Sequence, residues 1–335
     1  MVAERAAQSD VSATGITPAA MSFGHALAVV RRLEFYVVEL TIFSIPLLVV
    51  ANDVYDLTRP VVFEGLVMYF VLYAIGDMVN CLADRDLDSV YKTRLSRAVY
   101  RIGPSRLGWI VAIETLVGLG LAVHLSMVTG RWLILVLVLL GVFLGLAYSL
   151  GPLHLKKRGL GHLACLWLLL FFLPMVCAAL LIAGPNVEVL VVAATYATVE
   201  MGIILVNTSE DLPEDRAAGI RTTTVALGLT STLRLASTMV GLGGAGFCAF
   251  WVLTYVEEHV PPLGYLAAGA FAVVCVIVLA RIIWLTQHVN AKKETEEAAV
   301  LLVKAHGPLV PIAATLVGWV GVVCAAVSLT AGGGG

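Results

Sequence analysis

Asn80-Cys81-Leu82-Ala83-Asp84-Arg85-Asp86-Leu87-Asp88 closes one long apolar run of this chain, and Asn207-Thr208-Ser209-Glu210-Asp211-Leu212-Pro213-Glu214-Asp215 closes another. Both stretches spell Asn-x3-Asp-x3-Asp. On a helix, positions i, i+4 and i+8 drift by only about 40° per step, so each triplet faces one way. Asp86 and Arg85 then point away from the first triplet, and Pro213 breaks or kinks the second. Carboxylates clustered against apolar segments are costly unless something neutralises them, and ionisable groups at membrane depth mark function by default.

Working outward, the 335 residues are 60% hydrophobic and only 13% charged, against roughly 25% charged in a soluble domain. The composition is that of a polytopic all-α membrane protein. The net charge of −2 gives no sign of nucleic-acid binding. Nine runs are long enough to cross a bilayer, which takes about 20 apolar residues: 33–51, 61–81, 108–128, 131–150, 161–183, 187–207, 233–255, 263–285 and 308–330. One membrane domain is expected over 25–331. It follows a disordered polar tail over 1–24 that lacks a signal-peptide core, and a glycine tail over 332–335 ends the chain. The six cysteines stand singly in apolar stretches and read as small core residues. The glycine-rich stretch 241–246 reads as close helix packing, since no Lys-Ser/Thr follows it to make a phosphate loop.

Cation placement gives the orientation. Of 21 Lys and Arg residues, all but Arg59 and Arg131 fall on the side holding the N-terminus and the segments after spans 2, 4, 6 and 8. The positive-inside rule makes that side cytoplasmic, with both Asn/Asp triplets on it and the C-terminus opposite. The triplets lie 127 positions apart with four spans from one to the next. Spans 1–4 and 5–8 therefore read as two four-helix halves, each with an acidic motif closing its second helix, and span 9 is extra.

Four converging carboxylates, Asp84, Asp88, Asp211 and Asp215, would repel without a counter-ion. Mg2+ takes one or two carboxylates and completes its octahedron with water and substrate phosphate oxygens. Two motifs suggest two ions gripping one diphosphate, with Asn80 and Asn207 beside them. Lys92, Arg94, Lys156, Arg158 and Arg221 flank the same end as candidate phosphate binders, and Tyr148 lies one turn inside span 4. His154 and His162 read as interfacial, and Lys156-Lys157-Arg158 doubles as a positive-inside anchor. Segment 292–297 reads as a solvated loop. If the organic part of the diphosphate is an isoprenoid, its tail lies among the helices and its head on the metals. Loss of diphosphate then leaves an allylic carbocation in a dry pocket, where aromatic faces stabilise it.

These residues resemble the UbiA superfamily of intramembrane prenyltransferases. The first signature of that family matches Asn80-x3-Asp84-x3-Asp88. The second matches Asp211-x3-Asp215-Arg216, continuing through Gly219, Arg221 and Thr222 to Leu227-Gly228; a third segment matches Tyr148-Ser149, Pro152 and Lys156. The resemblance covers about residues 28–330. It implies nine helices around a central cavity, two Mg2+ ions and an isoprenyl diphosphate donor. It further implies a lateral opening to the lipid bilayer. By the same resemblance Asn80, Asp84, Asp88, Asp211 and Asp215 serve the metals, while Tyr148 and Lys156 serve the diphosphate and carbocation region. The chain differs from many members at Cys81, where they carry Asp, and over Arg94–Gly103, which lacks an Arg-Pro stretch. The expected reaction is prenyl transfer to a lipophilic, most simply aromatic, acceptor. The alternative is a UbiA-type terpene cyclase, in which the tail captures its own cation, and a cation transporter is the third reading.

Overall fold

A computed structural model describes residues 21–291 and 296–332, so the tail over 1–20, residues 292–295 and the last three glycines lie outside it. Among the described residues every regular element is helical. Eight helical stretches are long and apolar enough to cross a membrane. The helix at the fourth expected span, Leu133–Ser149, has 17 residues and rises only about 25 Å. Among the described residues eight of the nine expected spans are thus long enough to cross, and at the fourth stands a shorter apolar helix.

In chain order we number the helices α1 (Phe23–Val30), α2 (Tyr36–Val50), α3 (Pro60–Tyr91), α4 (Thr93–Ile102), α5 (Pro104–Thr129) and α6 (Leu133–Ser149). Next come α7 (Leu160–Ala179), α8 (Val187–Ser209), α9 (Leu212–Ala217), α10 (Thr223–Leu227), α11 (Leu229–Glu257), α12 (Pro262–Ala291), α13 (Glu296–Lys304) and α14 (Leu309–Gly332). Helix α7 widens to a π-turn over Trp167–Phe172 immediately before Pro174. A proline with no N–H to give makes such a widening inexpensive there.

Helix α3 decides where the first motif sits. Pro60 opens it at a position where the missing N–H costs nothing, and it runs 32 residues. That is about 48 Å, well beyond the ~30 Å of a bilayer core. Asp84 and Asp88 therefore ride on a rigid extension of a spanning helix. Helix α8 is capped by the Asn186 side chain, which accepts from the Glu188 N–H at 2.7 Å. It stops at Ser209, and Pro213 sits in the first turn of α9. The second motif is consequently bent, as Pro213 foretells: Asn207 on α8, Asp211 between helices, Asp215 on α9.

Packing pairs α3 with α5, α8 with α11, and α11 with α12, while α14 lies against both α2 and α12. The ninth expected span thus joins the first to the eighth and closes the bundle. A second, smaller apolar cluster lies at the motif end, where Ala26, Val29 and Val30 of α1 meet Ala98, Val99 and Ile102 of α4 over the tail of α3. Helix α1 begins at Phe23, two residues before the expected boundary of the membrane domain. Residues 296 and 297, expected in a solvated loop, open α13.

Candidate active site

The first motif reaches the second through two lysines. Lys92, just past the end of α3, donates to Asp211 at 2.7 Å. Lys156, in the turn after α6, forms an ion pair with Asp84. Asp215 lies within electrostatic reach of Lys156, Asp211 and Lys92, and Asp88 of Lys92, Asp84 and Lys156. Residues from α3, the α6–α7 turn and the α8–α9 junction therefore make one polar cluster.

Electrostatics in the cluster follow from burial. Burial pushes the Asp215 carboxyl up to about 6, against the pull of the Thr222 hydroxyl, which donates to it at 2.9 Å. Burial also works against the Lys92 ammonium, but the Asp211 carboxylate outweighs it and holds Lys92 above its usual value. Each motif thus has one carboxylate held by a lysine, Asp84 by Lys156 and Asp211 by Lys92.

The cluster caps an apolar cavity of about 290 Å³ whose lining includes Asn80, Asn207 and Tyr148. The Ser149 hydroxyl donates to the Asn80 Oδ1 at 3.3 Å. Tyr148 lies 3.0 Å from His162 Nε2, and His162 Nδ1 lies 3.0 Å from Thr223 Oγ1. Thr223 spends its own proton on the Gly159 carbonyl. It must then accept from His162 Nδ1–H, which leaves Nε2 bare to accept from Tyr148. The phenol proton is turned toward the imidazole and the oxygen lone pairs are free for the cavity. Gly159 N–H donates to the Arg221 carbonyl at 2.7 Å, so the α9–α10 segment of one half clamps the α6–α7 turn of the other.

The remaining expected cations lie outside this cluster. Arg94 and Arg221 are exposed, and the Arg158 Nε donates to the Leu153 carbonyl at 3.0 Å. Five cysteines are buried and Cys248 is half-buried, all as free thiols.

The donor chemistry suits a hard divalent ion. Among the described residues no three His, Cys, Asp or Glu side chains form a metal-holding group. Mg2+ does not need one, because it takes one or two carboxylates and fills its shell with water and phosphate oxygens. Two paired carboxylates at each motif, with lysines at present supplying the positive charge, fit that requirement.

Sequence reasoning passed over the polar residues lower in the same cavity. Arg32, Glu39, Asp77 and Glu200 all line it, with Glu39 and Glu200 buried. The signal was available, since each glutamate is a lone carboxyl inside an apolar run. Single residues have no spacing to read, so the repeated motifs dominated.

Comparison with known proteins places this architecture. The chain is 28% identical over 206 residues to the bacteriochlorophyll synthase 33 kDa chain of Rhodobacter capsulatus, covering 60% of this chain and 66% of that one. It is 30% identical over 171 residues to the lycopene elongase/hydratase of Haloferax volcanii, covering 51% and 54%. The match therefore spans under two thirds of the length of either relative. Among solved structures, a UbiA homologue from Archaeoglobus fulgidus bound to GPP and Mg2+ superposes with a TM-score of 0.57 at 13% identity, over 87% of this chain and 99% of that one. The model of the UbiA prenyltransferase family matches residues 40–301, a stretch that holds both Asn/Asp motifs and the Tyr148–Lys156 turn. The chain belongs to the UbiA prenyltransferase family.

Proposed function

We propose that this protein ionises an allylic isoprenyl diphosphate at the mouth formed by its two motifs and transfers the prenyl group to a lipophilic, most simply aromatic, acceptor. The observation that carries this reading is the meeting of both motifs, Lys92 and Lys156 at the opening of a single apolar cavity. The prenyl diphosphate and Mg2+ bound by the Archaeoglobus homologue support the donor and the ion.

Asp84 and Asp88 would hold one Mg2+ ion and Asp211 and Asp215 a second, with the Asn80 and Asn207 amides beside them. Such ions, when bound, supply Lewis-acid stabilisation of the charge developing on departing diphosphate. Lys92 and Lys156, displaced from Asp211 and Asp84, pair with phosphate oxygens. The C–O bond breaks with its electron pair on diphosphate, and the acceptor carbon bonds to the allylic carbon and then loses its proton. Tyr148 turns oxygen lone pairs, not its proton, toward the cavity and so favours positive charge there. The cavity walls, Phe43, Met68 and Phe171 among them, exclude the water that would quench the cation. The site opens to the cytoplasm on the positive-inside count, and the membrane domain runs over 25–331.

The test is purified protein with Mg2+ and geranyl, farnesyl or geranylgeranyl diphosphate, with and without a phenolic acceptor. Expected is diphosphate release that depends on the acceptor and falls by about 10²–10³ in Asp84→Ala or Asp211→Ala. A cyclic hydrocarbon made without acceptor would instead identify a cyclase. Cation flux with no turnover in the wild type would identify a transporter.

A further inference from the structure

Helices α11 and α12 pack side by side, and Gly241 brings them close, since a Cβ there would lie 3.7 Å from Leu279. Toward the motif end they leave a groove of about 460 Å³ between them. Six of the side chains that line it are polar: Arg234, Ser237 and Thr238 of α11, and Thr286, Gln287 and Asn290 of α12. Among the described residues that line the groove none is a carboxylate, so nothing in the lining offsets the Arg234 charge. Among the described residues no side chain of α11 or α12 lines the cavity of the candidate active site, so the groove is a separate feature of the outer wall. Arg234 lies five residues from the start of α11, and Gln287 four residues before the end of α12, about 6–8 Å of helix rise in each case. These are the ends of the apolar runs 233–255 and 263–285, where hydrocarbon gives way to lipid headgroups. Deeper along the same helix faces the surface is exposed and apolar. Ala245, eleven residues on from Arg234, and Val276, seven residues before Ile283, repeat those faces.

The hydrogen-bonding capacity of the groove is sorted by chemistry. The Ser237, Thr238 and Thr286 hydroxyls donate to the Leu233, Arg234 and Ile282 carbonyls of their own helices at 3.0, 3.0 and 2.7 Å. Each therefore turns only oxygen lone pairs toward the groove. Donors come from the Arg234 guanidinium and from the Gln287 and Asn290 amides. A lone arginine at a membrane boundary serves as an anchor and needs no company. Here two helices add amides and hydroxyls to it in one concavity, and basic pockets between spanning helices hold anionic lipid headgroups. We propose that the groove binds one glycerophospholipid of the leaflet at the motif end, with a net negative, hydroxyl-bearing headgroup. Its phosphate oxygens accept from Arg234 and Gln287, and its headgroup hydroxyls donate to the Ser237, Thr238 and Thr286 oxygens. Its acyl chains follow the apolar faces that continue below the groove.

The experiment uses full-length protein in detergent and native mass spectrometry, with phosphatidylglycerol and phosphatidylcholine of identical acyl chains. Both lipids carry the phosphate, and only the first has a net charge and headgroup hydroxyls. Wild type is expected to hold one phosphatidylglycerol about ten-fold more tightly than phosphatidylcholine. Arg234→Gln should reduce that preference to about two-fold or less, and Gln287→Leu, which leaves the charge, should reduce it part-way. Arg106→Gln removes an exposed cation of the motif end outside the groove and should keep the wild-type preference. Thermal melting reports whether each variant is folded, and Gln287→Leu decides the matter if Arg234→Gln is not. Equal binding of the two lipids by wild type, or an undiminished preference in the folded groove variants, would overturn the proposal. So would equal losses in Arg234→Gln and Arg106→Gln, which would mean a general attraction of the positive face. Displacement of the lipid by millimolar glycerol phosphate, which lacks the chains, would overturn it in favour of a soluble phosphate ligand.

Discussion

At the scale of single residues, the least expected arrangement is the hydrogen-bonded series Tyr148, His162, Thr223 and the Gly159 carbonyl. It fixes the direction of the tyrosine proton, and His162 is the only member that bonds to both neighbouring side chains. His162→Phe keeps a ring but takes away the acceptor of the half-buried Tyr148 hydroxyl, while Thr223 keeps the Gly159 carbonyl, at a cost of about 1–3 kcal/mol for an unsatisfied group. Melting should show that loss, and turnover should fall because the Tyr148 proton is free to swing toward the developing cation. Tyr148→Phe removes the hydroxyl altogether. If the two act as a unit, the double variant turns over no more slowly than the worse single one. Strictly additive losses in that cycle would mean that His162 and Tyr148 act separately.

At the scale of elements, the α8–α11 contact carries the strongest demand for small residues. A Cβ on Gly243 would lie 2.8 Å from the Thr195 carbonyl and 2.8 Å from the Val199 nitrogen, and one on Gly202 would lie 2.8 Å from the Ala236 carbonyl. These neighbours are backbone and cannot swing aside. Gly243→Val should therefore cost about 1–3 kcal/mol through forced separation of the helices, read as a lower melting temperature. Gly241→Ala, whose Cβ would meet only a Leu279 methyl at 3.7 Å, is the matched control and should melt like wild type. This contact was legible in the sequence as the glycine-rich stretch 241–246. So was the first motif, because its spacing is helical and α3 runs through it unbroken. Helices α1 and α4 were not. Each is short and set among charged residues, and burial of a few positions such as Ala98, Val99 and Ile102 makes no apolar run to detect. The buried glutamates escaped for the opposite reason, since a single polar residue hardly alters a run of apolar ones.

At the scale of the whole molecule, orientation is the property that the two halves must share if their motifs are to form one site. The positive-inside count leaves two exceptions, and the structure gives each a local partner. Arg131 bonds the carbonyls of Leu180, Leu181 and Ile182 at 3.1, 3.3 and 3.2 Å, just past the end of α7. A cation there answers the negative end of a helix. Arg59 lies 3.4 Å from Asp56 in the α2–α3 connection. Both charges are thus offset in place, while the motif end keeps exposed cations such as Arg94 and Arg221. Orientation is then proposed from the motif end alone, which the positive-inside rule assigns to the cytoplasm. Cysteine labelling checks this with little background, because five native cysteines are buried and the sixth is half-buried. Arg94→Cys should react with a membrane-impermeant maleimide in inside-out vesicles and stay unlabelled in right-side-out ones, and Arg59→Cys should do the reverse. Labelling of Arg94→Cys from outside would invert the topology. The diphosphate would then have to arrive from the side opposite to the one the cation count assigns.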